Sequence, residues 1–387
     1  MLLVEPERQI VPSSRVQWLD RHLARVCLAS ELTPTQFRNA EEKYRAVGGW
    51  LADSGSLLAA FAPEVYPQGS MLLGTTVRPY GQSEYDLDLV CQLHWCAQQT
   101  PLTIYDWVHT RMTAHETYRE MLEKLKRCLR LNYADSFHLD ILPACPNDRI
   151  GNSSIIVPDR KLECWMHSNP KGFAEWFFKQ CQIRDILAER AFKASVEPLP
   201  SPVPSEYKYP LQRIVQLMKR HRDVFFHGGR DIARSVILTA LAGSFYKGQR
   251  SLSIALESLL DGIHIALEAN PQVPKVLNPV HPAENFADTW DQAKYERFKS
   301  YIDNFRRGLK AALYPSALEE RQGLEKTAGH LGELFGEDRV RDAIRIEAAE
   351  MNERRNTGKL GVATSGFLTG VAQAGAVPVP RNHFFGR

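Results

Sequence analysis

Asp86 and Asp88 stand one residue apart in Glu84-Tyr85-Asp86-Leu87-Asp88-Leu89-Val90, a run that alternates acid with apolar side chain. Alternation at period two predicts a strand, with both carboxylates on one face and Leu87 and Leu89 on the other, toward a core. Two like charges held side by side push one proton affinity upward unless a cation lies between them, and oxygen donors alone suit Mg²⁺ or Mn²⁺. A second apolar run, Phe137-His138-Leu139-Asp140-Ile141-Leu142-Pro143, carries one acid in its middle. If it pairs beside the first, Asp140 completes a three-carboxylate set of the kind that holds two metals about 3.5–4 Å apart in phosphoryl transfer. Upstream, Gly69-Ser70 offers what a phosphate needs: a backbone that can be approached closely, and a hydroxyl beside an N–H where a short helix begins.

Several elements must position these groups. Pro12-Ser13-Ser14 caps a predicted helix to Ala29, with Val16, Leu19, Leu23 and Val26 at helical spacing. Thr33-Pro34-Thr35 caps a second, expected to run through Ala40, Tyr44, Val47 and Leu51 toward Ala60, with a kink near Gly48, Gly49 and Gly55. Residues 103–131 predict one amphipathic helix built on Ile104, Trp107, Val108, Met112, Tyr118, Met121 and Leu125. Its Lys124, Lys126, Arg127 and Arg130 could meet a phosphate or form a solvated face. Strands are expected at Ile155–Asp159 and near Lys161–Met166, and a helix from the Asn169-Pro170-Lys171-Gly172-Phe173 turn through Leu187. Four prolines within residues 197–204 predict an extended linker. Beyond it, residues 209–225 form a helix with Leu211, Ile214, Val215, Leu217 and Met218 on one side and Arg213, Lys219, Arg220, His221 and Arg222 on the other. Further helices are expected from Ala233, over Ser251–Glu268, Asp291–Leu313 and Pro315–Phe335, the last fraying at Gly323 and Gly329, and over a projecting, charged Val340–Arg355. Residues 357–387, rich in Gly, Ala, Ser and Pro, predict a flexible tail.

Gln68-Gly69-Ser70, Gly74-Thr75, Val77-Arg78-Pro79, Asp86-x-Asp88 and Asp140 together resemble the bacterial cGAS/DncV-like nucleotidyltransferases of anti-phage CBASS operons, within the polymerase-β-like superfamily. The resemblance implies an α+β, bilobed fold: a catalytic lobe around a mixed sheet carrying the acids, then a helical lobe of oligoadenylate-synthase-like type. It divides the chain into residues 1–196, a linker at 197–206, a helical lobe at 207–355 and a tail at 356–387. In such enzymes a long N-terminal helix braces both lobes. The stretch Leu211-Gln212-x-x-Val215-x-Leu217-x-Lys219-Arg220 is similar to the family's spine helix, which implies that Lys219, with Ser235, reaches the donor triphosphate. Tyr246 could stack on a base or pack in the core, and Asn285, in an Asn278-Pro279-x-x-Pro282 turn shared with these relatives, is expected to hold that turn together.

The activity so implied is metal-dependent synthesis of a cyclic di- or trinucleotide from NTPs, ATP among them, with two Mg²⁺ or Mn²⁺ ions held by Asp86, Asp88 and Asp140 and pyrophosphate released. Cyclisation comes from the resemblance; residue spacing does not separate a cyclase from a linear or RNA-end transferase, or from an inactive nucleotide-binding sensor. The resemblance also implies an accessory protein of ubiquitin-ligation or HORMA type. The aromatic end Asn382-His383-Phe384-Phe385-Gly386-Arg387 is either its substrate, after trimming behind Gly386, or a plain disordered end.

Composition fits this class. Across 387 residues the net charge is +3 and charged residues make up 24%, too balanced for a protein that coats RNA and unlike a sequence-specific nucleic-acid binder. Seven cysteines without paired spacing favour reduced thiols in a cytoplasm, and Cys91, His94 and Cys96 lack the second ligand pair of a zinc finger. No run of about eighteen apolar residues predicts a membrane span.

Overall fold

The computed structural model describes residues 14–81, 84–96, 98–133, 137–147, 153–181, 195–202, 207–227, 233–362, 368–370 and 377–380. In the first lobe, helices α1 (Ser14–Ala29) and α2 (Pro34–Leu51) precede β1 (Glu64–Gln68), the five-residue α3 (Gly69–Leu73) and β2 (Tyr85–Gln92). There follow α4 (Pro101–Thr113), α5 (Glu116–Met121), β3 (Leu122–Lys124), β4 (Leu129–Tyr133), β5 (Phe137–Pro146), β6 (Ile155–Asp159), β7 (Cys164–Ser168) and α6 (Pro170–Gln180). These seven strands form one sheet in the order β1-β2-β5-β4-β3, with β6 continuing from β5 and β7 from β6. Among the described strands of this sheet the central β2–β5 ladder is parallel and the other ladders are antiparallel, while Val65 of β1 also makes a single parallel bridge to Val196.

The alternation along β2 is realised: Tyr85, Leu87 and Leu89 are buried while Asp86 and Asp88 keep access to the opposite face. Leu87 and Leu89 pack with Ala40, Tyr44, Val47 and Leu51 of α2 and Ile104, Val108 and Met112 of α4. One face of the sheet is thus closed by helices, which leaves the acid face for the cleft.

The second lobe begins with α7 (Pro210–Phe225), α8 (Ser235–Phe245) and α9 (Leu252–Glu268). A hairpin of β8 (Leu277–Asn278) and β9 (His281–Asn285) leads to α10 (Gln292–Leu313), α11 (Ala317–Phe335) and α12 (Glu337–Asn356), and short strands β10 (Leu360–Val362), β11 (Leu368–Gly370) and β12 (Val377–Pro378) close the chain order. Its core joins Leu19, Leu23 and Val26 of α1 to Leu217 and Met218 of α7, Leu256 of α9 and Phe298, Ile302 and Phe305 of α10.

Several expectations are corrected. The one helix expected over 103–131 is instead α4, ending at Thr113, and the short α5, ending at Met121; the β3–β4 hairpin follows, where Leu129 and Leu131 bury against β5 while Arg130 faces the cleft. The second N-terminal helix ends at Leu51, short of Ala60. Bracing is shared: α1 packs into the helical lobe, whereas α2 closes the sheet. The α11 helix continues through both glycines. Rather than projecting, α12 lies along α1, tied by His22 Nε2 to Glu347 at 2.8 Å and by Arg25 to Glu350 at 2.6 Å. The stretch beyond residue 357 is not wholly irregular, since β10 pairs with β11 and β12 and buries Leu360. Cys96 and Cys145 are disulfide-bonded, against the expectation of reduced thiols; β2 and β5 run parallel side by side, which brings the chain just past β2 to the C-terminal end of β5 across 49 residues of sequence. The expected Pro12-Ser13 cap, the continuation of the α6 helix to Leu187, the linker end at Pro204 and residues 382–387 lie outside the described residues.

Candidate active site

The ladder registers place Gln68 of β1, Asp88 of β2, Asp140 of β5 and Arg130 of β4 in one row across four strands. Because β2 and β5 are parallel and in register, Asp88 and Asp140 are direct neighbours, and Asp86 follows two residues along on the same face. Arg130 completes the row. Its Nε and Nη2 donate to the two oxygens of Asp140 at 2.7 and 2.8 Å, and Nη2 lies 3.7 Å from Asp86. Burial first, then the charges of Asp140 and Asp86, push the Asp88 carboxyl up to about 8. As the carboxylates stand, Arg130 occupies both oxygens of Asp140. The donor set itself, three carboxylates on one strand-pair face with one of them destabilised as an anion, fits an oxygen-loving divalent cation.

Gly69 follows the row directly. Its φ of +63° lies in the left-handed region, and a Cβ there would sit 2.5 Å from Asp88 Oδ2, so only glycine allows the helix start to approach the acid. Ser70 is held from behind by Thr76, whose hydroxyl donates to Ser70 Oγ at 3.2 Å. Lys219 reaches this turn from α7: its Nζ donates to Thr75 O at 3.0 Å and Thr75 Oγ1 at 3.1 Å. Ser235 opens α8, and Arg222 Nη1 donates to its hydroxyl at 3.0 Å.

All seven expected site residues line one cavity of about 470 Å³ between the lobes. Arg130, which the sequence offered as a phosphate contact or a solvated residue, shares it with Thr75, Thr76, Arg222, Asn278 and Glu284, to which sequence reasoning gave no role there. The expected basic side of α7 is not a surface. Lys219, Arg220, His221 and Arg222 are all buried, because Arg220 bonds Phe335 O and Asp338, His221 faces Leu334 O, and Arg222 pairs with Asp223. Lys126 and Arg127 do not reach the acids but pair with Asp159 at 3.1 Å each. Tyr246 packs against the helical core and donates to Gln249 O, outside the cavity lining. Asn285 does hold its turn, its Oδ1 accepting from Val276 N and Ala287 N.

A family model described as the Second Messenger Oligonucleotide or Dinucleotide Synthetase domain matches residues 23–180. A protein of Roseivirga ehrenbergii named c-di-GMP synthase is 35% identical over 386 residues, covering 97% of this chain and 100% of that one. The chain belongs to the cGAS/DncV-like nucleotidyltransferase family. It is therefore an enzyme of the nucleotidyltransferase class. A second member of the family, named cyclic dinucleotide synthase CdnG, from Bradyrhizobium diazoefficiens, is 27% identical over 323 residues, 76% of each chain. The solved structure of that organism's CdnG in complex with GTP matches with a TM-score of 0.66 at 24% identity, over 85% of this chain and 99% of the other, which shows the shared fold. Among the described residues no helix is long and apolar enough to cross a membrane.

Proposed function

We propose that this family member condenses two nucleoside triphosphates, GTP foremost, into a cyclic dinucleotide, releasing two pyrophosphates. The observation that carries the reading is the convergence of Asp86, Asp88 and Asp140 with Gly69, Ser70, Lys219 and Ser235 in one interlobe cavity. The full-length likeness to a protein named c-di-GMP synthase favours guanosine over the ATP expected from sequence.

Asp86, Asp88 and Asp140 would hold divalent cations, Mg²⁺ or Mn²⁺ and two in number, which supply charge neutralisation at the triphosphate and a lowered pKa at the acceptor hydroxyl. The Gly69 backbone, open for close approach, and the Ser70 hydroxyl would bind the outgoing phosphates. Lys219, which already fixes Thr75 behind that turn, would add its charge, and Ser235 a hydroxyl oriented by Arg222. A ribose 3′ or 2′ hydroxyl attacks the α-phosphorus of the donor, its proton leaves to solvent and pyrophosphate departs; a second round closes the ring. Catalysis then rests on positioning and on electrostatics prepared before the reaction. With this activity, and as the family resemblance implies, the enzyme would work in the cytoplasm, in a CBASS setting, with an accessory protein acting on residues 356–387.

The test incubates the protein with α-³²P-labelled NTPs and Mg²⁺ or Mn²⁺, beside an Asp86→Ala, Asp88→Ala double variant, then applies phosphatase. Phosphatase-resistant small products made by the wild type alone, and lost when GTP is left out, are expected. Linear products, or equal yields from the double variant, would overturn the reading.

A further inference from the structure

We propose that Glu284 selects guanine, receiving the N1–H and N2–H of a base in the catalytic cavity, with Asn278 as the residue that positions it; this rests on the nucleotide-joining reading above. Among the described residues, Glu284 is the one carboxylate lining the cavity apart from the three aspartates. It sits on β9, its side chain bonded to that of Asn278 on β8.

Asn278 is buried, and both ends of its amide are committed. Its Oδ1 accepts from Val280 N at 3.0 Å and its Nδ2 donates to Glu284 Oε2 at 2.7 Å. The amide therefore cannot flip without losing a bond, and the carboxylate is held by one oxygen. Among the described residues Oε1 has no protein partner. Burial raises the Glu284 carboxyl above its ordinary range, a pull that the Asn278 bond only partly offsets. A half-buried carboxylate short of donors is costly alone, and a ligand that brings N–H groups relieves it. Phe286 and Phe173, packed edge to face at 5.8 Å, line the same cavity and give it apolar surface against which a base can lie.

Base chemistry decides which ligand fits. The Watson–Crick edge of guanine presents two neighbouring donors, N1–H and the 2-amino group, which match the two oxygens of a carboxylate. Adenine and cytosine each place a ring-nitrogen lone pair beside their single amino donor, and uracil flanks its one N–H with two carbonyl oxygens. Each of those sets an acceptor against an acceptor, so the site selects by repulsion as well as by attraction.

Inosine triphosphate isolates the claim, since it keeps N1–H and lacks the 2-amino group. We expect equilibrium binding to the full chain, with Ca²⁺ replacing Mg²⁺ to hold back turnover, to favour GTP over ITP and over ATP by at least about tenfold. Glu284→Gln, which keeps shape but pairs a donor with a donor, should erase the preference for GTP over ITP while the melting temperature stays near that of the wild type. Equal binding of GTP and ITP by the wild type, or full preference retained in Glu284→Gln, overturns the proposal. Should Glu284→Gln fail to fold, the wild-type ratio of GTP to ITP decides alone. A wild type that shows the preference yet yields no phosphatase-resistant product would overturn the cyclising reading and uphold base selection.

Discussion

Arg130 grips both oxygens of Asp140, with its Nε at 2.7 Å and its Nη2 at 2.8 Å, from the neighbouring position in the β4–β5 ladder. The pair is partly enclosed, with side-chain exposures of 24% and 14%, so the contact is stronger than a surface ion pair yet still touched by solvent. Its hydrogen bonds to Asp140 raise the Arg130 guanidinium above its usual range and keep it charged at every working pH. Arg130, with Lys219, thus supplies positive charge to a cluster of three acids, in the position where a divalent cation must also act.

Replacing Arg130 with Met should therefore destabilise the cation-free protein by about 1–3 kcal/mol, because it leaves Asp140, in a partly buried acid cluster, without its bidentate partner. Mg²⁺ should restore most of that loss, since the same carboxylates then bind the ion more tightly. Thermal melting of wild type and Arg130→Met, in EDTA and in Mg²⁺, measures the difference directly. An equal loss in both conditions would show that Arg130 acts only as a packing element.

Gly69 faces a stricter demand. The Cβ of an alanine would meet Asp88 Oδ2 at 2.5 Å and the backbone would hold a non-glycine residue at φ +63°, so either the helix start or the aspartate must move. Gly69→Ala is expected to lower kcat by about 100-fold or more, the usual cost of displacing reacting groups by about 1 Å, while far-ultraviolet circular dichroism stays unchanged. Wild-type turnover in this variant would mean that the turn does not position the phosphates.

The acids were legible in the sequence because strand alternation is local: Asp86, Leu87, Asp88 and Leu89 state their two faces within four residues, and burial follows that pattern. The partner of Asp140 was hidden for a related reason. Helical periodicity from Ile104 to Tyr118 carries on by chance through Met121 and Leu125, and masks the shorter alternation Leu129-Arg130-Leu131-Asn132 that marks β4. Burial of the basic residues on α7 could not be read at all. Arg220 finds Phe335 O across 115 residues and His221 finds Leu334 O across 113, so their neutral or paired surroundings exist only once α11 has docked. Glu284 was passed over because its hairpin resembles a structural turn, and only the cavity shows which way its carboxylate faces.

His221 supplies a pH dependence that is separate from the acids. It is buried, stacked on Tyr301 at 5.2 Å and close to Phe305 at 4.3 Å, and burial pulls its imidazole down from 6.5 to about 4. The folded protein thus holds the ring neutral while the unfolded chain takes up a proton below its ordinary pKa. Stability from this group is complete above pH 6.5, falls as the pH drops through that value, and is fully lost near pH 4. Between neutrality and about pH 5 the loss should be about 2 kcal/mol. His221→Phe keeps the aromatic packing and removes the proton site, at the cost of the bond to Leu334 O. Urea unfolding at the two pH values should show a smaller difference in the variant than in the wild type, by about that amount, even if the variant is less stable at neutrality. An identical pH difference in both proteins would place the acid sensitivity elsewhere, in carboxylates that gain protons on unfolding rather than in this ring.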